Sequence, residues 1–249
     1  MRLSLWFLVL VLLGGLPAQA LELTLKTVNT TESIQDNGPK DQDQRLGFIQ
    51  YQGILDKTSD SPFAISLRLA ETSTPKKTAK LSLEALPAKF GQELEPAVLN
   101  LGLPSTITIE ASSTMAPLEG STVGALNYRG ASVDESDGRQ EVQVDKDEVS
   151  ASFGATPLTV AVNPVKGQAA QFKFDQRQNI PLKSPVNSME IIWNLALGAG
   201  DGIELDNFTL KAEPAPSVLA NAGTIGWAVA AGVAVLFFVI GFFTRRNRC

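Results

Sequence analysis

Met189-Glu190-Ile191-Ile192-Trp193-Asn194-Leu195-Ala196-Leu197, followed by Gly198-Ala199-Gly200-Asp201-Gly202 and then by Ile203 to Lys211, is the stretch that decides the fold. In its first part Ile191, Trp193, Leu195 and Leu197 point one way, and Glu190, Asn194 and Ala196 the other. That is the period-2 alternation of a half-buried strand. The glycine-rich five turn the chain, and Ile203 to Lys211 is the strand that closes the body.

The same alternation recurs upstream. Leu21, Leu23 and Leu25 alternate with Glu22, Thr24 and Lys26. Thr30 to Asp43 is polar, carries Asn37-Gly38-Pro39 in its middle, and reads as a loop. Strands follow over Leu46 to Leu55, Phe63 to Leu69, Ala79 to Glu84 and Thr106 to Glu110, the last rich in residues branched at Cβ. Val123 to Val133 is another, followed by an acidic turn from Asp134 to Gly138. Glu141 to Asp145 and Glu148 to Phe153 read as two short runs across Lys146-Asp147, a candidate hairpin. Pro157 to Val162 and Gln171 to Phe174 complete the series. The nearest helical candidate, Leu81 to Leu94, is interrupted by Pro87. Many short strands separated by turn signals predict an all-β antiparallel β-sandwich or jelly roll over residues 21–211.

Both ends of the chain have a different character. Met1 to Ala20 places one charge, Arg2, before an apolar run from Leu3 to Leu16 and ends on Ala18-Gln19-Ala20, a pattern that signal peptidase cuts after Ala20. At the other end Ile225 to Phe243 holds no charged residue. As a helix it is about 28 Å long, close to the roughly 30 Å hydrocarbon core of a bilayer. Arg245, Arg246 and Arg248 follow at once, and basic residues after a span stay on the cytoplasmic side. These features predict a signal peptide (1–20), a linker (212–224), a transmembrane helix (225–243) in contact with membrane lipid, and a basic cytoplasmic tail (244–249). The body is then held outside the cytoplasm in the cell envelope.

Composition narrows the function. Of the 21 Lys and Arg residues, Arg2, Arg245, Arg246 and Arg248 fall outside the body, whereas its acids belong to a total of 26. An acidic body is the wrong sign for nucleic acid. The single cysteine is Cys249, so an exported body has no disulfide and must stand on its own core, which points to a bacterial envelope. With no histidine in the chain, a Ser-His-Asp triad, a Cys-His pair and a histidine-bound zinc are all excluded. Carboxylate chemistry is what remains, and Asp201, Glu204 and Asp206 gather near the last turn. An acidic turn is ordinarily solvated, and no acid pair of the kind glycosidases need is recognisable. The chain therefore reads as a non-enzymatic protein.

Gly202-Ile203-Glu204-Leu205-Asp206-Asn207-Phe208-Thr209-Leu210, followed by Glu213-Pro214-Ala215-Pro216-Ser217, an apolar span and an arginine cluster, resembles the end of PEP-CTERM proteins. Ala212 stands where that family has its first proline. The resemblance implies recognition by an exosortase at Glu213 to Ser217 and transfer to the cell surface or extracellular matrix. The Asp206-Asn207 strand also resembles the last strand of jelly-roll carbohydrate-binding modules, which implies a structural calcium held in part by Asp206 and a polysaccharide partner. Trp193 reads two ways: its alternation with Ile191 and Leu195 makes it core, and its flat indole would suit it as a sugar-stacking platform. Asn29-Thr30-Thr31 and Asn207-Phe208-Thr209 match the glycosylation sequon, which has meaning only in a eukaryotic secretory pathway.

Overall fold

A computed structural model describes residues 20–214 except 75–76, 87–95, 119–121, 135–141, 163–164, 168–170 and 183–184. The chain divides into two compact units, Met1–Pro214 and Ala215–Cys249, and the second lies outside the described residues. So do the expected signal peptide up to residue 19, the expected span and the basic tail. Among the described residues there is no helix, and hence none long and apolar enough to cross a membrane.

The described residues form β1 (Ala20–Lys26), β2 (Thr31–Gln35), β3 (Phe48–Leu55), β4 (Phe63–Thr74), β5 (Thr78–Ala85), β6 (Val98–Asn100) and β7 (Ser105–Leu118). These continue into β8 (Thr122–Asp134), β9 (Val142–Phe153), β10 (Thr156–Val162), β11 (Val165–Gly167), β12 (Gln171–Leu182), β13 (Val186–Leu197) and β14 (Asp201–Pro214). They build two sheets, and every recorded pairing is antiparallel. One runs β10-β9-β13-β7-β1-β2, with β11 beside β9; the other runs β12-β8-β14-β5-β4-β3. In the second sheet β5 and β6 share one lane between β14 and β4: β5 pairs with Phe208 to Ala212, and β6 with Gly202 and Ile203. The fold is thus an all-β antiparallel sandwich.

Alternation places the core. Leu21, Leu23 and Leu25 face inward from β1, Ile107, Ile109 and Ala111 from β7, and Ile191, Trp193, Leu195 and Leu197 from β13. The opposite sheet answers with Leu81 and Leu83, Leu67 and Leu69, Leu126 and Tyr128, and Phe208 and Leu210. An aromatic cluster fills the centre: the Tyr128 ring centroid lies 4.6 Å from Phe174, 4.7 Å from Phe208 and 5.8 Å from Trp193.

Three expectations change. The polar stretch from Thr30 to Asp43 contains a strand, β2, which pairs with β1 and buries its single large apolar residue, Ile34. The remainder is ordered by Asp41, whose carboxylate accepts N–H groups from Asn37, Asp43 and Gln50. The two runs around Lys146-Asp147 are one continuous strand, β9, because the register against β13 shifts between Ala196–Lys146 and Leu197–Val144. Asp145 is the extra residue of a β-bulge. It moves the alternation one step, so that Val142 and Val144 before it and Asp147 and Val149 after it all face the core. A second register shift, between Leu205 and Asn207, sits at Asp206 in β14. Finally, β14 runs on through Pro214, past the expected body end at Lys211. Ala212 is fully buried opposite Ala79 and Gly124, and Glu213 and Pro214 pair with Val123 and Thr122.

Candidate functional site

Each residue singled out from the sequence has a definite place. Trp193 has no exposed surface, so its indole face is closed to a sugar and the platform reading gives way to the core one. Its Nε1 donates to Asp147 Oδ1 at 3.0 Å, and the Tyr128 hydroxyl lies 2.9 Å from both oxygens of the same carboxylate. Burial pushes Asp147 up to about 6, against the opposing effect of the Trp193 and Tyr128 hydrogen bonds. Burial and the charge of Asp147 also push the Tyr128 hydroxyl well above its ordinary value. This group ties β8 of one sheet to β9 and β13 of the other. It is sealed inside the sandwich and supports the fold. The sequence concealed it, because Lys146-Asp147 reads as a turn until the bulge at Asp145 is taken into account.

The three acids near the last turn do not converge. Asp201 is buried and accepts the Gln143 N–H at 2.9 Å. Glu204 accepts from Gln171 Nε2 at 3.0 Å. Asp206, half exposed at its bulge, lies 3.4 Å from Arg129 Nε. Among the described residues no three acidic or cysteine side chains gather where they could share a metal ion. A calcium ligand at Asp206 would need further oxygens, and the neighbour there is a guanidinium. Among the described residues the Asp206-Asn207 pair marks a bulge in the closing strand, with Arg129 beside it. Of the sorting motif, Glu213 and Pro214 end β14; Ala215, Pro216 and Ser217 lie outside the described residues, as do Arg245, Arg246 and Arg248.

Clefts open at one end of the sandwich. There the β1–β2 turn (residues 27–30), the β3–β4 loop (56–62), the β6–β7 loop (101–104) and the turn at 198–200 come together, and they are braced to one another. Asp56, in the left-handed region at φ 54°, accepts a hydrogen bond from the Thr27 hydroxyl, joining the first two loops. The Leu101 and Leu103 N–H groups reach the Pro62 and Asp60 carbonyls, each at 2.8 Å. Buried Asn100 donates from Nδ2 to the Leu103 and Gly198 carbonyls at 2.9 and 2.8 Å. Gly102 has no room for a side chain, since a Cβ there would stand 2.1 Å from the Asp60 carbonyl oxygen.

Two clefts open between these loops. The first, of about 470 Å³, is lined by Asn29, Thr30, Glu32, Asp56, Lys57 and Ile54 among others. The second, of about 420 Å³, is lined by Val28, Asn29, Thr58, Ser59, Asp60 and Ser105. They share Asn29, Thr58 and Ser59. Burial pushes Glu32 up, but hydrogen bonds from Lys40 (2.9 Å) and the Tyr51 hydroxyl outweigh it and hold this carboxyl below its ordinary value. Val28 (77% exposed) and Leu103 (60%) leave aliphatic surface beside the polar groups, and Ile54 (41%) does the same at the wall of the first cleft. No aromatic ring lines either cleft among the described residues. These residues were missed from the sequence except as a sequon at Asn29. The signal was the run Asp56-Lys57-Thr58-Ser59-Asp60-Ser61, a cluster of turn-forming residues between two strong strands.

No family model matches the chain, and no curated protein does. Among solved structures it is similar to TmCBM61 in complex with beta-1,4-galactotriose, with a TM-score of 0.29 and 14% identity over 57% of this chain and 86% of that one. It is also similar to the enzymatically active domain of bacteriophage CBA120 tailspike protein 4, with a TM-score of 0.26 and 9% identity over 66% of this chain and 19% of that one. At these scores neither likeness bears on ligand or activity.

Proposed function

We propose that this chain is a non-catalytic surface protein of the bacterial cell envelope. In this reading it is exported by its N-terminal segment, delivered to the membrane by its C-terminal one and passed to the surface by cleavage there, and it binds polysaccharide through the loop end of its β-sandwich. The observation that carries the reading is the pair of adjoining clefts, polar within and aliphatic at the rim, framed by loops already braced together. Preformed hydrogen-bonding groups suit a ligand that presents many hydroxyls, because little ordering cost remains to be met on binding. The interior acids are committed to structural partners, and the chain has no histidine or exported cysteine, which favours binding over catalysis.

The sandwich itself is read as a jelly roll: from β7 to β9 and again from β12 to β14, successive strands alternate between the two sheets. The tail is read as an exosortase substrate on the strength of Glu213-Pro214-Ala215-Pro216-Ser217, the apolar run after it and the terminal arginines.

A glycan array probed with the full-length protein in lipid nanodiscs tests the binding reading. Binding to one class of polysaccharide is expected, and the exposed-site pair Asn29→Ala and Thr58→Ala should lower it by about tenfold, the equivalent of one or two lost hydrogen bonds. Absence of binding to any glycan would leave display of the sandwich itself as the function.

A further inference from the structure

A third depression lies beside the first cleft. It has a volume of about 320 Å³ and lies on the second sheet's outer side, with Gln52, Ile54, Ala64, Pro96 and Leu99 among its lining residues. Ile54 also lines the first cleft, and the first and second clefts share Asn29, Thr58 and Ser59. The three thus lie side by side around the β3–β4 loop, from Val28 to Leu99, each sharing lining residues with the next. Each alone is near the lower end of the roughly 300–1,000 Å³ usual for a small-molecule site.

We infer that this row takes a linear, uncharged polysaccharide chain along several consecutive sugar units, in preference to a single sugar. The inference rests on the polysaccharide-binding reading above and specifies its ligand. Adjacency is the first reason: a single sugar would fill one depression and leave its neighbours empty. The second is the order of chemistry along the row. Aliphatic surface stands at both ends, Val28 at one and Ile54, Pro96 and Leu99 at the other, with the hydroxyl, amide and charged groups between them. A sugar ring offers both an edge of hydroxyls and a face of C–H groups, so successive units of one chain match this alternation. The third reason is that the lining among the described residues holds no aromatic ring. Without a stacking platform each unit contributes little, and useful affinity requires several linked units held at once. Charge then selects among chains: Glu32, Asp56 and Asp60 line the row against Lys57 alone, which disfavours uronate and sulfate polymers.

Calorimetric titration of the full-length protein in nanodiscs, with size-graded β-glucan and β-mannan oligomers from one to about eight units and with oligogalacturonates as the acidic series, tests this. Affinity should rise at least about tenfold between the dimer and the hexamer of a neutral series and then level off. Leu99→Ala should lower hexamer affinity by a larger factor than dimer affinity. Gln52→Ala, at a partly exposed position, gives the same readout should the first variant lose its fold. Equal affinity for monomer and hexamer would overturn the linear-chain inference while leaving polysaccharide binding in place. Tighter binding of the acidic series would overturn the uncharged class, and no binding to any oligomer together with none on the glycan array would overturn both readings.

Discussion

A carboxylate enclosed by apolar side chains owes its tolerance to the donors around it, and Asp147 has two, Trp193 and Tyr128. Its folded value of about 6 stands above the 3.8 of a free aspartate, so between those values the folded chain binds more protons than the unfolded one. This contribution to stability is full below the lower value and is lost as pH rises through the upper one, by up to about 3 kcal/mol. Urea unfolding of the wild type should therefore show greater stability near pH 4.5 than near pH 7.5, and Asp147→Asn should reduce that difference. Tyr128→Phe should cost roughly 1.5–3 kcal/mol at neutral pH, where the anion loses a donor, and less in acid. Glu71, also raised by burial, adds a slope of the same sign, so the comparison with Asp147→Asn is what isolates the core carboxylate. Trp193 was legible as a core residue from its own alternation. Asp147 was not, since a charged residue next to Lys146 carries no sign that a bulge has turned it inward.

Strands with several apolar residues in step were readable with near-correct centres, as β1, β4, β5, β8 and β13 show. β2 escaped because Ile34 is the only large apolar residue it buries, and one residue makes no period. β6 is three residues long and completes a lane that β5 begins, a matter of tertiary pairing with no local signature. The bulges at Asp145 and Asp206 are breaks in alternation that look like turns or charge clusters until the partner strand fixes the register. Close packing between β8 and β14 gives a sharper test. A Cβ at Gly130 would stand 2.2 Å from the Glu204 carbonyl oxygen and 2.9 Å from Phe174 Cζ. Backbone cannot yield as a side-chain tip does, so Gly130→Ala should destabilise the sandwich by about 3 kcal/mol, read as a lower urea midpoint with the slope unchanged.

Across the whole molecule, the sequence put the junction between body and linker at residue 212. Burial of Ala212 and pairing of Glu213 and Pro214 move the end of the sheet to the edge of Ala215-Pro216-Ser217. A cut beyond Pro214 would leave every pairing of β14 intact. Mass spectrometry of the surface-exposed form is expected to find a C-terminus near Ser217; a chain still carrying Arg246 and Cys249 would instead be a permanent anchor.

β14 begins at the turn beside the clefts and ends at Pro214, on the same side of the body as Ala20, at the far end from those loops. Flow that drags on a polymer gripped at the loops, while the chain is held beyond Pro214, would pull lengthwise along this strand. Its hydrogen bonds to β8 and β5 would then be strained together, in shear, and none could be peeled open singly from an end. Such an arrangement loads the whole strand at once, a useful property for a domain that, as proposed, is held at a surface and grips a polymer.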